Sequence, residues 1–230
     1  MARLLQICLA VFLTSIMLVA CVKNQSFENG MSPNPNGTNF TGCKSCKYLP
    51  WCDGSVYTYI DSAAGGINTQ TTTLSIVSDT VIGTTTYSKT LFDGQTYYHN
   101  CSNDISTIVG INTPGFGGST VAQTKNVVLR ANANVGATWS DVNDGGNGVV
   151  NTTNYEIISM GTTRTVVGVL YPDVIQVTQS TSTSIPGVGT SILSTADYYY
   201  AKGVGLIESM TRNSNGLTIQ HRVLETYSIP

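Results

Sequence analysis

By residue type, Cys43, Cys46, Cys52 and Cys101 are the side chains best suited to chemistry, because a thiol can cross-link, bind a metal or attack as a nucleophile. Three of them fall within the ten residues Cys43-Lys44-Ser45-Cys46-Lys47-Tyr48-Leu49-Pro50-Trp51-Cys52, where a proline and two aromatics favour a compact knot over a helix. A four-thiolate zinc site is built from paired Cys-x2-Cys units, and here the second pair is missing. A thioredoxin-like redox pair opens a helix beside a βαβ unit, whereas Pro50 and then a strand follow this Cys-x2-Cys. Two disulfides are the favoured reading for an exported chain. One bridge must tie Cys101 back to the knot. Of the three connectivities, Cys43–Cys52 with Cys46–Cys101 is preferred, and closing the longer loop would contribute about 4 kcal/mol.

Other candidate chemistry is thin. There are two histidines, His99 and His221. His99 precedes Asn100-Cys101, but a cysteine in a disulfide is no nucleophile, and no orienting carboxylate lies nearby in sequence. His221 alternates with Ile219 and Val223 and reads as an ordinary strand residue. Asp141-Val142-Asn143-Asp144-Gly145-Gly146 carries oxygen ligands, yet glycine occupies the fifth position of an EF-hand register, so it reads as a turn. Gly115-Phe116-Gly117-Gly118 follows Pro114 and opens no helix, so it reads as a loop. No nucleophile elbow, zincin motif or Walker loop occurs. No catalytic residue, metal or cofactor is assigned.

Export is read at the N-terminus. Arg3 precedes a mostly apolar run from Leu4 to Leu18, the layout of a signal peptide. The run barely approaches the ~20 apolar residues that a spanning helix needs. The tetrapeptide Leu18-Val19-Ala20-Cys21 resembles the lipobox of bacterial lipoproteins. The resemblance implies cleavage before Cys21 and lipid attached to it, the two or more chains that hold stably in a bilayer. Residues 1–20 are then a signal peptide, 21–42 a tether rich in Asn, Ser, Pro and Gly, and 43–230 the folded domain. The membrane is the partner this implies. The location it implies is the cell envelope, at the outer membrane facing the periplasm.

The elements that must position anything in this chain are strands. Charged residues make up 10% of the chain, against ~25% in an ordinary soluble domain, and Thr, Ser, Asn and Gly take the polar role. A net charge of −2 without a basic cluster gives no footprint for nucleic acid. Period-2 alternation recurs from Ser55 to Ser228, including Thr80–Leu91, Val149–Ser159, Thr162–Leu170 and Asp173–Ser180. Turns are expected at Asp93-Gly94, Pro114-Gly115, Asp144-Gly145-Gly146, Tyr171-Pro172-Asp173 and Asn215-Gly216. No amphipathic helix of three turns follows the leader. The expected fold is all-β: one strongly curved antiparallel sheet or half-open barrel. Val166, Gly168 and Leu170 alternate on one strand face. They are expected either in the core or, with Tyr198, Tyr199 and Tyr200, along an apolar ligand.

The C-terminal third carries Val167-Gly168-Val169-Leu170-Tyr171-Pro172-Asp173-Val174-Ile175 and then Tyr198-Tyr199-Tyr200-Ala201-Lys202-Gly203-Val204-Gly205-Leu206-Ile207. These runs resemble the strand and the "YYAKGVGLI" segment of uncharacterised envelope lipoproteins of the Bacteroidota, a TapB-like group. The resemblance covers mainly residues 136–210, implies a strongly curved antiparallel sheet, and implies almost nothing about activity. The functional expectation is a lipid-anchored, non-catalytic binding or structural module that holds an apolar small molecule or an envelope protein. The alternative is a hydrolase of envelope or imported glycans, for which two carboxylates about 5–10 Å apart in a cleft would be the mark.

Overall fold

Threonine, valine and tyrosine suit the pleated surface of a strand, and the described residues form thirteen strands rich in them. The computed structural model describes residues 43, 46–63, 65–92, 95–114, 118 and 120–230, all within the compact unit Pro33–Pro230. Cys21, the signal peptide and the tether lie outside the described residues. In chain order the strands are β1 (Val56–Ala63), β2 (Gly66–Thr73), β3 (Ser75–Ile82), β4 (Thr85–Phe92), β5 (Gln95–Ser102), β6 (Ile105–Pro114) and β7 (Thr120–Arg130). They continue as β8 (Thr138–Gly146), β9 (Val149–Val166), β10 (Val169–Ile185), β11 (Gly189–Ala201), β12 (Gly205–Asn213) and β13 (Thr218–Ser228).

The all-β, antiparallel expectation holds, and the strands are divided between two open sheets. β3 to β7 form a five-stranded meander. β8 to β13 form a second meander, to which β1 adds beside β13 and β2 beside β1, giving the eight-stranded order β2-β1-β13-β12-β11-β10-β9-β8.

The larger sheet curls strongly. Arg164 on β9 bonds Glu208 on β12 at 2.5 Å, although those strands are three places apart in the sheet. On a flat sheet they would be separated by about 14 Å. Bulges provide the bend: the β9–β10 ladder shifts register between Tyr171 and Val174, again before Gln176, and again before Val177. Val166, Tyr171 and Val174 of these two strands consequently share one core cluster with Ile207 of β12, Leu224 of β13 and Tyr57 and Tyr59 of β1. A second cluster joins Trp139, Tyr155, Ile157, Ile175, Val177 and Tyr200 of the large sheet to Leu129 of the small one and to Tyr48 of the knot.

Three local expectations are corrected. Tyr171-Pro172-Asp173 is not a turn but lies inside β10, where the bulge absorbs a proline that has no N–H to give the ladder. The β8–β9 turn falls at Asn147-Gly148, both at positive φ (54° and 76°), and not at Asp144-Gly145-Gly146. Such a two-residue turn demands positive φ at both positions and matches the twist of its strands. Likewise Thr162–Leu170 is not one strand: Val167 (φ 47°) and Gly168 (φ 78°) make the turn between β9 and β10. Val166 is therefore buried, Gly168 sits at a hairpin tip, and Leu170 is 61% exposed, so the three do not line one face.

Candidate functional site

The two faces of the curled sheet offer different chemistry. Toward the five-stranded sheet lies a cavity of about 180 Å³. Its walls come from Tyr57 and Tyr59 of β1, Tyr200 of β11, Gly205 and Leu206 of β12 and Arg222 of β13 on one side. Phe92 of β4, Ile108 of β6 and Val128 of β7 face them from the small sheet. Leu49, Pro50 and Trp51 of the knot and Leu74 complete the lining.

Several constraints hold the knot against this cavity. Cys43 is bonded to Cys52 and Cys46 to Cys101, so the segment that bears Leu49 to Trp51 is fastened to itself and to β5. The amide of Gly203 donates to the Lys47 carbonyl at 2.7 Å, and the Tyr48 hydroxyl donates to Asp173 Oδ1 at 2.5 Å. Asp173 also pairs with Lys202 at 3.1 Å, and Lys47 pairs with Asp104 at 2.9 Å. Burial, together with Asp173, pushes the Tyr48 phenol far above its usual range, so it stays a donor.

Two polar groups of the wall, Tyr59 and Arg222, are engaged within the protein. Tyr59 donates to the Leu206 carbonyl at 2.9 Å. Arg222 forms a two-pronged pair with Asp61, both bonds at 2.7 Å, and reaches Gln70 Oε1 at 3.1 Å. The hydrogen bond from Arg222 holds the Asp61 carboxyl below its usual range. Trp51 also covers His99, with ring centroids 3.5 Å apart. His99 is 4% exposed, and neither ring nitrogen has a hydrogen-bond partner among the described residues. Burial pushes its pKa down to about 3, so the imidazole is neutral at pH 7.

The concave face carries charge. Glu208, from β12, accepts from Arg164 and lies 2.9 Å from His221 Nε2, while the Arg164 guanidinium stacks 3.4 Å from the Tyr199 ring centroid. Burial pushes the Glu208 carboxyl up, but the bonds from Arg164 and His221 outweigh it and leave the group below its ordinary value. Nearby, Asp197 is held by Arg212 at 2.7 Å and by Thr178 at 2.8 Å. These are neutralised pairs.

Of the aromatic run expected near a ligand, Tyr200 reaches the cavity. Tyr198 packs in the core beside it, with ring centroids 6.3 Å apart, and Tyr199 points to the opposite face under Arg164. Strand alternation separates them. Lys202 serves the Asp173 pair. Asp144 accepts from the Gly146 amide at 2.8 Å at the irregular end of β8, and no metal-binding group of three or more acidic, histidine or cysteine side chains gathers among the described residues. Sequence reasoning missed Phe92, Ile108, Val128 and Leu206, because partners from different sheets share no period along the chain. The aromatic and proline content of the knot was the one available signal.

No protein-family model matches the chain, and no curated protein does. Two solved structures are similar to it in fold. One, from Parabacteroides distasonis, is described provisionally as a lipoprotein: 14% identity, TM-score 0.48, covering 80% of this chain and 100% of that one. The other, from Bacteroides fragilis, is described provisionally as an exported protein with a YmcC-like fold: 13% identity, TM-score 0.47, with the same coverage of 80% and 100%.

Proposed function

We propose that the chain is a lipid-anchored, non-catalytic module of the bacterial cell envelope that holds an apolar ligand between its two sheets. The observation that carries this reading is the intersheet cavity, whose walls are mainly hydrocarbon and aromatic. Convergent apolar walls with few polar groups are the usual form of a small-molecule site. The anchor is Cys21, in its lipobox-like setting.

The carboxylates support the non-catalytic part. Glycoside hydrolysis needs one carboxyl kept protonated as an acid. Asp61, Asp197 and Glu208 are each bonded to an arginine and held below their usual range, the opposite of that requirement. Asp141 is raised by burial, but its Oδ2 accepts from the Val127 amide at 2.6 Å and so caps a neighbouring strand.

The test is native mass spectrometry on protein purified from native envelopes under gentle conditions. A discrete extra mass, lost on activation and distinct from the lipid on Cys21, is the expected result. A bare monomer would overturn the ligand reading, and a stoichiometric second protein would replace it with a partner.

A further inference from the structure

The dimensions and polarity of the intersheet cavity restrict what can enter it. An apolar cavity of about 150 Å³ stays dry and takes up benzene. At about 180 Å³, this one is slightly larger. Scaled by volume, it accommodates a hydrocarbon group of about seven carbons. A whole lipid or a sterol is too large, since pockets for drug-sized ligands start at roughly 300 Å³.

Polarity narrows the class further. The Tyr59 hydroxyl is engaged with the Leu206 carbonyl, and the Arg222 guanidinium with Asp61 and Gln70. A polar group entering among Leu74, Phe92, Ile108 and Val128 would give up its bonds to water and meet side chains that offer no replacement. Hydrocarbon gains by the same transfer.

The walls also give little. Two hydrogen-bonded sheets form the sides, and the third wall is fastened by Cys43–Cys52 and Cys46–Cys101. Carbons beyond the volume of the cavity must stay outside it.

We propose that this cavity selects a hydrocarbon segment of about seven carbons, the end of an alkyl chain or one aromatic ring. The inference rests on the ligand-binding reading above and adds to it a chemical class and a size limit.

The test uses the full chain purified from envelopes in a steroid detergent, whose ring system exceeds the cavity. Affinity is measured for straight-chain primary alcohols from propanol to decanol, and for toluene. Affinity should rise about fourfold per methylene and level off near seven carbons. Alcohol binding without toluene assigns the site to a chain end, and toluene binding without the alcohols assigns it to a ring; either supports the class. A rise that continues to decanol, or no dependence on length, overturns the size limit. Val128→Phe, which fills the cavity, should move the plateau to shorter alcohols, and Ile108→Phe serves if the first variant does not fold. An unchanged plateau in a folded variant places binding elsewhere and overturns the proposal. A bound molecule seen in native envelopes, with neither probe series binding, would leave the ligand reading standing and overturn the hydrocarbon class. No bound molecule and no probe binding would overturn both.

Discussion

Val167 is a β-branched residue at φ 47°, in a turn position that glycine or asparagine fills at less cost. The left-handed conformation costs roughly 1–2 kcal/mol for an L-residue with a Cβ. The side chain is 52% exposed, so little burial offsets that cost. Val167→Asn should therefore raise stability by about 1 kcal/mol, read as a higher urea midpoint at unchanged slope; a lower midpoint would show that the valine packs more than its exposure indicates. His99 titrates in a defined direction. Its folded pKa of about 3 lies below the unfolded value near 6.5, so between those limits the unfolded chain binds a proton that the folded one refuses. Stability from this group is full above pH 6.5 and is lost as pH falls toward 3. His99→Phe keeps an aromatic against Trp51 and removes the proton, so its stability should fall less steeply than the native chain's between pH 6.5 and 4. Parallel curves would mean the imidazole is solvated. His99 was legible in the sequence as a strand residue, but its burial under Trp51 depends on where the knot lands.

At the scale of elements, most strands and their turn chemistry were readable because alternation and Asn-Gly or Gly signals are local. Asn215-Gly216 does close the β12–β13 hairpin, with the Asn213 side chain accepting from Asn215 and Leu217 at 3.0 Å each. The misplaced breaks share a cause. Pro172 and Gly161 look like breaks, yet long strands in a curled sheet absorb such residues as bulges, and only the neighbouring ladder reveals that. The knot is the element on which the cavity depends most. Its Cys46–Cys101 bridge closes a 55-residue separation, so replacing both cysteines by serine should cost about 4 kcal/mol. Because the bridge also holds Leu49, Pro50 and Trp51 at the cavity wall, ligand retention should fall even where the variant remains folded. Calorimetry and native mass spectrometry on the same sample read the two effects. Loss of stability with full ligand retention would show that Tyr48–Asp173 and Gly203–Lys47 suffice to seat the knot.

Across the whole molecule, the division into two sheets could not be read from the sequence. β1 pairs onto the C-terminal meander, and β2 onto β1, although the entire small sheet lies between them and β13 in sequence, and period-2 patterning looks the same in either sheet. The register Val56↔Ser228 joins β1 to β13 inside the large sheet, so its stability depends on both ends of the domain. The proposed attachment to a membrane rests on one residue. Lipid on Cys21 would anchor the domain through residues 21–42. Cys21→Ala removes the acceptor thiol while leaving Cys43, Cys46, Cys52 and Cys101 to pair. The native chain should sediment with membranes and resist salt washing, since acyl chains hold through burial and not charge. The variant should lose that salt-resistant attachment while retaining the native melting profile of the β domain. A variant that still sediments after salt would mean that the leader itself, or the surface of the folded domain, holds the membrane in place of a lipid on Cys21.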